Sequence, residues 1–273
     1  MTEKFFHDKK IINYRDQGKG FPVVLLHGYL ESQKVWDEFA YKLAEKYRVI
    51  TLDLPGHGES DLPGMIATMD DMAEAVKAVL DHLKIKKAVV IGHSMGGYVT
   101  LAFAENFPEL LKGFGLFHSV ASADPPEKKQ NRDREIHLVK EGKKELIINT
   151  NIPKMFSDRH VATMVDEVEY VKRIALKTPE RGIIAALEGM KQRPERLHVL
   201  KDANVPVLFI AGMKDNYIPF SKIEEQSNLV KNCMLVKLEN SGHEGFMEEF
   251  EISLEAVSDF LEKCEKTRSQ YVI

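Results

Sequence analysis

The stretch Ala88-Val89-Val90-Ile91-Gly92-His93-Ser94-Met95-Gly96-Gly97 runs from an apolar segment into a serine bracketed by glycines. Four consecutive apolar residues read as a strand buried on both faces. The Gly-x-Ser-x-Gly core that follows is how a chain turns sharply from strand to helix with a serine at the apex. A nucleophile at such a turn sits in strained backbone geometry, and Gly92 and Gly96, lacking Cβ, let strand and helix pack closely around it. Small residues around a serine also make ordinary turns, so the reading depends on what the rest of the chain supplies.

Working outward, further short apolar runs at Val23–Leu26, Val49–Leu52, Gly113–Phe117, Val205–Ile210 and Met234–Leu238 have the look of buried strands, which implies a parallel sheet. Lys4 to His7 and Ile11 to Arg15 read as an N-terminal hairpin with polar residues between them. Met69, Met72, Ala73, Val76, Val79, Leu80 and Leu83 recur at the spacing of one helix face, and Thr68 with Asp71 resembles a capping box at its start. Further helices are expected at Lys34–Ala44, Met95–Asn106, Ser221–Val230 and Ile252–Cys264. Alternating strands and helices give a wound α/β sheet. The alternation breaks between about Val120 and Pro194, entered through Pro125 and Pro126. That stretch is too long for a bare loop, so it reads as a helical cap over one edge of the sheet. The expected organisation is a core of residues 1–119 and 195–273 with the cap, 120–194, inserted.

With 273 residues, the chain is long enough to bury one full α/β core. A net charge of −4 gives no basic face for nucleic acid, and no run is long and apolar enough to cross a bilayer. Met1–Lys10 lacks the apolar core of a secretory signal, so a cytoplasmic protein is expected. Charge is densest between Asp124 and Glu145, where mixed signs read as a solvated helix face. Cys233 and Cys264 lie far apart without metal-ligand spacing and read as reduced thiols.

A serine hydroxyl needs a base within hydrogen-bond reach, itself oriented by a third group. Asp215 follows the strand ending at Ile210, and His243, in Ser241-Gly242-His243-Glu244, follows the next strand. Catalytic groups in open α/β sheets gather at the carboxyl ends of strands, where all three residues fall.

The order Ser94, Asp215, His243 is that of the α/β-hydrolase triad, and the chain resembles the α/β-hydrolase superfamily over nearly all its length outside the cap. The motifs that carry the likeness, besides the elbow, are His27-Gly28, Asp53-Leu54-Pro55-Gly56-His57-Gly58-Glu59-Ser60, Gly212-Met213-Lys214-Asp215 with Ile218-Pro219, and Gly242-His243. The resemblance implies an α/β-hydrolase fold, with a mostly parallel sheet flanked by helices. It also implies an oxyanion hole made by the backbone N–H groups of Met95 and Tyr29. The implied activity is that of a serine esterase acting on a small ester, thioester or lactone, close to the carboxylesterase and enol-lactone hydrolase branch. A ligand receptor on the same fold, a triad-based lyase and a perhydrolase are the alternatives. No metal or organic cofactor is expected, and the partner is a small ester-like molecule.

Some superfamily members carry the acid one strand earlier, which makes Asp124 a rival to Asp215. His27 and His57 read as structural, His93 as pointing away from substrate, and His118 as surface or core by default. Glu244 is placed to cap the following helix, and Asp53 to serve its own turn. Trp36 reads as packing. Tyr29, Leu30, Met155, Phe156, Met164, Tyr217 and Phe246 are the candidates for a mostly apolar pocket between sheet and cap.

Overall fold

A computed structural model of the chain describes residues 3–7 and 10–266. The described residues form eight strands, β1 (Glu3–His7), β2 (Lys10–Gln17), β3 (Pro22–Leu26), β4 (Arg48–Leu52), β5 (Ala88–His93), β6 (Leu111–Phe117), β7 (Val207–Gly212) and β8 (Cys233–Leu238). They make one sheet in the order β1-β2-β4-β3-β5-β6-β7-β8. Strands β1 and β2 pair antiparallel, and β2 joins β4 antiparallel; from β4 to β8 every pairing is parallel. The hairpin is therefore as expected, although its connecting residues Asp8 and Lys9 lie outside the described residues.

Successive side chains leave a strand on opposite faces, and the core divides accordingly. Val24, Leu26 and Val90 point to one face, where they meet α2 (Met69–His82) and α3 (Met95–Asn106). Val23, Leu25, Val89 and Ile91 point to the other, against Trp36 and Phe39 at the start of α1 (Asp37–Leu43) and Phe260 and Cys264 at the far end of the chain. Both cysteines are unbonded. The α2 stripe is buried as its spacing requires, and Thr68 and Asp71 make the full capping box, with Asp71 N–H donating to Thr68 Oγ1 at 3.0 Å and Thr68 N–H to Asp71 Oδ2 at 3.1 Å.

β2 and β6 are longer than expected, running to Gln17 and from Leu111, and two further departures have a local cause. β7 begins at Val207, because Pro206 has no N–H to donate to the ladder. β8 is half-buried along most of its length because it is the sheet's outer strand.

Between β6 and β7 the described residues contain helices and no strand: α4 (Pro126–Lys140), α5 (Lys144–Met155), α6 (Asp158–Thr163), α7 (Val165–Lys177), α8 (Glu180–Gln192) and α9 (Leu197–Lys201). Pro126 opens α4 at a position where a helix has no use for its N–H. The remaining helices are α10 (Phe220–Ser227), α11 (Gly245–Glu248) and α12 (Phe250–Lys266). No helix among the described residues is long and apolar enough to cross a membrane.

The strand order reverses between β3 and β5: β4 lies to one side of β3, and β6 lies beyond β5 on the other. Open α/β sheets form a crevice at such a reversal. Leu26 pairs with Gly92 there, so the loop after β3 and the turn after β5 emerge side by side. On the other side, Gly212 pairs with Leu238, which brings the loops after β7 and β8 together in the same way.

Thr68→Ala removes the side-chain half of the cap. It is expected to cost about 1 kcal/mol, read as a lower urea midpoint with an unchanged m-value.

Candidate active site

Ser94 sits between β5 and α3 with φ +49° and ψ −112°, outside the comfortable regions for a residue with a side chain. Its geometry is over-determined by its surroundings. Ser94 N–H donates to Phe117 O at 2.9 Å, and Ser119 Oγ donates to Ser94 O at 2.8 Å. A Cβ on Gly92 would strike the Gly96 carbonyl, and one on Gly96 would lie 2.6 Å from Leu26 O and 2.7 Å from His27 O. Glycine is thus required at both positions by close backbone approach. Met95 opens α3, where a helix leaves its N–H groups without acceptors of their own. Tyr29 follows β3 in the neighbouring loop.

Asp215 lies past the end of β7 with its side chain fully buried. One oxygen, Oδ1, accepts from Tyr217 N–H at 2.7 Å and Ile218 N–H at 3.0 Å. The other, Oδ2, lies 2.8 Å from His243 Nδ1 and 3.3 Å from His118 Nδ1. Burial by itself would raise this carboxyl, but His243 and His118 outweigh it and hold Asp215 well below the usual carboxylate range. The rival, Asp124, is elsewhere: it is buried between Arg132 Nε and Arg193 Nη1, the latter at 2.7 Å, and meets no histidine.

Ser94 and His243 line one cavity of about 190 Å³ together with Tyr29, Leu30, Met155 and Tyr217. Three expected pocket residues, Phe156, Met164 and Phe246, fall elsewhere. Phe246 is buried on the far side, its ring 4.4 Å from that of Trp36 and 5.0 Å from that of His93, and it borders a separate groove with Met164. Phe156 is fully buried in the core beyond the end of α5 and does not reach the cavity. For the two phenylalanines, a large ring buries more apolar area inside the core than it would at a cavity wall. The charged stretch has the expected solvated face at Glu127, Lys129, Asp133, Arg134 and Lys140, but its other side departs from that reading. Lys128, Asn131, Arg132 and Glu135, spaced as one side of α4, face the cavity.

A buried polar layer lies behind His243. His118 is fully enclosed: its Nε2 faces Gly245 N–H at 3.1 Å, and its Nδ1 faces both Gly212 N–H at 3.2 Å and Asp215 Oδ2 at 3.3 Å. Burial pushes His118 down to about 4, so it is neutral near neutral pH. Nothing in the sequence marked His118 except its place after β6, one strand from Asp215. His93 points away from the cavity, as expected, with Nε2 2.8 Å from His243 O and Nδ1 3.1 Å from Glu31 Oε1. Glu31 also accepts from Gly28 N–H at 2.5 Å. Despite burial, Glu31 is held down to about 2 by His93 and that N–H. Glu244 does not cap α11, contrary to expectation: its carboxyl is buried against Glu31, and burial and the Glu31 charge raise it well above the ordinary value. Two ionised carboxylates here would repel, whereas a protonated Glu244 donates to Glu31.

Glu248 was not foreseen either. Its buried carboxylate accepts from Ser157 N–H at 2.8 Å, Gly242 N–H at 2.8 Å and Glu244 N–H at 3.1 Å, and its Oε2 lies 2.9 Å from His160 Nδ1. It ties the His243 loop to the entry of α6. His243 N–H donates in turn to Met155 O at 2.5 Å, a second link to the helices between β6 and β7.

Among the described residues, two groups of side chains have potential ligand atoms within 4.8 Å of one another, His118–Asp215–His243 and Glu31–His93–Glu244. In the first, Asp215 is within reach of both histidines, and in the second His93 meets Glu31. His27 Nε2 accepts from Leu54 N–H at 2.9 Å and Nδ1 faces Gly28 O, and Asp53 accepts from Gln33 N–H and Glu59 N–H; these serve the loops.

A wound sheet with these groups at its strand ends defines a class, and comparison agrees with it. A family model described as alpha/beta hydrolase fold matches residues 22–139. Over 246 residues the chain is 30% identical to the AB hydrolase superfamily protein YisY of Bacillus subtilis (strain 168), spanning 86% of this chain and 90% of that protein. The chain belongs to the α/β-hydrolase superfamily and is a hydrolase of that fold. Among solved structures it is similar to a thermophilic esterase from Thermogutta terrifontis, determined with malate bound, at TM-score 0.92 and 30% identity over 97% of this chain and 99% of the esterase. It shares its fold with the enol-lactonase from Burkholderia xenovorans LB400, at TM-score 0.88 and 21% identity over 95% and 99% of the two chains.

The buried imidazoles set an acid limit. Burial lowers His27, His57 (to about 3) and His118 (to about 4), so an unfolded chain takes up protons below about pH 6.5 that the folded one refuses. Glu244 opposes this, since its raised value favours the folded state at low pH, but it is one group against three. Glu31 and Asp215, whose values are depressed, stabilise above the ordinary carboxyl range and lose that contribution as pH falls below it. Tm is therefore expected to fall by several degrees between pH 7 and pH 5, and a flat profile over that window would contradict the neutral, buried state of these histidines. Glu248→Ala strands three buried N–H groups and is expected to cost at least about 3 kcal/mol in chemical denaturation.

Proposed function

We propose that this protein is a serine hydrolase that cleaves a small ester, thioester or lactone through an acyl-enzyme on Ser94. The observation that carries the reading is the Asp215–His243 pair at 2.8 Å, opening onto the cavity that Ser94 lines from the strained turn. With Nδ1 donating to Asp215, the other ring nitrogen of His243 is the basic one. Asp215 fixes that tautomer and stabilises the imidazolium when it forms.

In the first half-reaction the Ser94 Oγ lone pair attacks the substrate carbonyl carbon while its proton passes to His243 Nε2. Negative charge moves to the carbonyl oxygen, where the N–H groups of Met95 and Tyr29 receive it; a fixed donor of this kind is worth roughly 100- to 1,000-fold in rate. Collapse breaks the ester C–O or C–S bond, and the leaving group takes the proton from His243. Water then attacks the acyl-Ser94 carbonyl, its proton going to His243, and the acid departs as Ser94 recovers its proton. The helices between β6 and β7, residues 120–194 at the boundaries read from sequence, act in this proposal as a cap that closes the cavity and selects the substrate. The small volume favours short acyl chains. The esterase from Thermogutta terrifontis, 30% identical, supports ester cleavage as the bond class.

A fluorophosphonate probe is expected to label the wild type and not Ser94→Ala, and p-nitrophenyl esters of short acids to be hydrolysed only by the wild type. Tight ligand binding with neither labelling nor turnover would replace this reading with the receptor alternative. Asp215→Asn is expected to lower kcat by on the order of 1,000- to 10,000-fold, far more than Asp124→Asn; the reverse ranking would move the acid to Asp124.

A further inference from the structure

The side of the cavity formed by α4 is polar and positively charged. Arg132 and Arg193 flank the buried Asp124, which neutralises only one of them. Glu135, the other carboxylate on this wall, is engaged by Tyr29 O–H at 3.3 Å and Asn151 Nδ2 at 3.1 Å. Lys128, half-buried one turn before Arg132, has no ion-pair partner among the described residues. Lys128, Arg132 and Glu135 line the cavity, while Asp124 and Arg193 lie just behind in the adjoining groove that Lys128 also borders; the cluster of three cations and two carboxylates leaves one positive charge unbalanced beside the Asn131 amide.

The three tyrosines of the cavity report this asymmetry. Burial raises the phenols of Tyr29 and Tyr217, and Glu135 raises both further. Tyr98 is more deeply buried, and burial pushes it the same way, yet Lys128, Arg193 and Arg132 reverse the effect and lower it. The Arg193 guanidinium lies 3.8 Å from the centre of the Tyr98 ring. A field that favours a phenolate at one wall of a cavity favours any anion placed there.

We propose that Lys128 and Asn131 form a carboxylate subsite, and that the substrate is an ester carrying one carboxylate remote from the carbonyl attacked by Ser94, as in the half-ester of a short dicarboxylic acid. This rests on the hydrolytic reading of Ser94 and His243. A single excess charge matches a singly charged carboxylate. Lys128 is suited to receive it because it holds no carboxylate of its own to be displaced, whereas Arg132 and Arg193 are committed to Asp124. Hydrolysis adds water across the C–O bond, releasing the alcohol and a second carboxylate at the Ser94 end. That product carries two negative charges in a cavity built to balance one, which favours its release.

The test compares two esters of similar length, mono-p-nitrophenyl glutarate and p-nitrophenyl valerate. Wild type is expected to favour the charged ester by roughly tenfold in kcat/KM at low ionic strength, with the advantage shrinking in about 0.5 M salt. Lys128→Met is expected to bring the ratio of the two kcat/KM values towards one, and Lys128→Glu to push it below one. The ratio is read because partial misfolding lowers both activities together and leaves their quotient in place. A wild-type ratio at or below one, or a ratio unmoved by both substitutions, overturns the subsite. If the neutral ester is cleaved without any preference for charge, only the subsite falls. If neither ester turns over and Ser94 resists the fluorophosphonate, the hydrolytic reading falls with it.

Discussion

The first turn of α3 lies in direct backbone contact with the ends of β3 and β5, and the rest of the site depends on that approach. Backbone meets backbone there: Gly92 lies against Gly96, and Gly96 against the carbonyls of Leu26 and His27. No side chain fits between, so α3 descends directly onto the sheet and the residue at the turn is forced into positive φ. That residue is Ser94. The strain is maintained by hydrogen bonds from Ser94 N–H to Phe117 O and from Ser119 Oγ to Ser94 O, and by parallel pairing on both sides of β5.

Sheet register then does for the other loops what the glycines do for the turn. Because Gly212 pairs with Leu238, residues a few positions beyond each strand emerge as neighbours, and Asp215 meets His243 although 28 positions separate them. A second layer of buried polar groups fixes the loops themselves. Glu248 gathers three N–H groups, His118 bridges Asp215 and Gly245, and Glu31 with His93 reaches the carbonyl of His243. Groups of this kind are costly when unpaired and rigidifying when satisfied.

Much of the fold was legible in the chain. The apolar runs mark β3 to β7 because strands buried on both faces admit little else, and the α2 stripe and its Thr68–Asp71 box are local features needing no partner to be recognised. Ser94, Asp215 and His243 were legible as candidates because each sits a fixed few residues after a strand. Phe156 and Phe246 were misplaced because an aromatic residue near a site is equally suited to core and cavity. Glu244 and Glu248 lie within five residues of one another in a short acidic run, and only the packing distinguishes a protonated partner of Glu31 from a clamp on three N–H groups. The solvated face expected of α4 is present at Glu127, Lys129, Asp133, Arg134 and Lys140, but the opposite side lines the cavity and escaped notice for a related reason. Mixed charge on a helix normally faces water, and the spacing of Lys128, Asn131, Arg132 and Glu135 shows that they share a side without showing what that side meets.

By itself, then, the sequence determined the order of strands and helices, the glycine-bracketed turn and the order of its candidate nucleophile, acid and base. These follow from local periodicity, from the absence of Cβ at particular positions and from the rule that strand ends collect in an open sheet. The tertiary structure alone decided which carboxylate meets His243, why Asp124 does not, how His118 and Glu248 hold the loops, and that a charged face of α4 turns inward. Those outcomes depend on contacts between segments distant in the chain and on the loss of water around them, and neither is encoded in the spacing of any one segment.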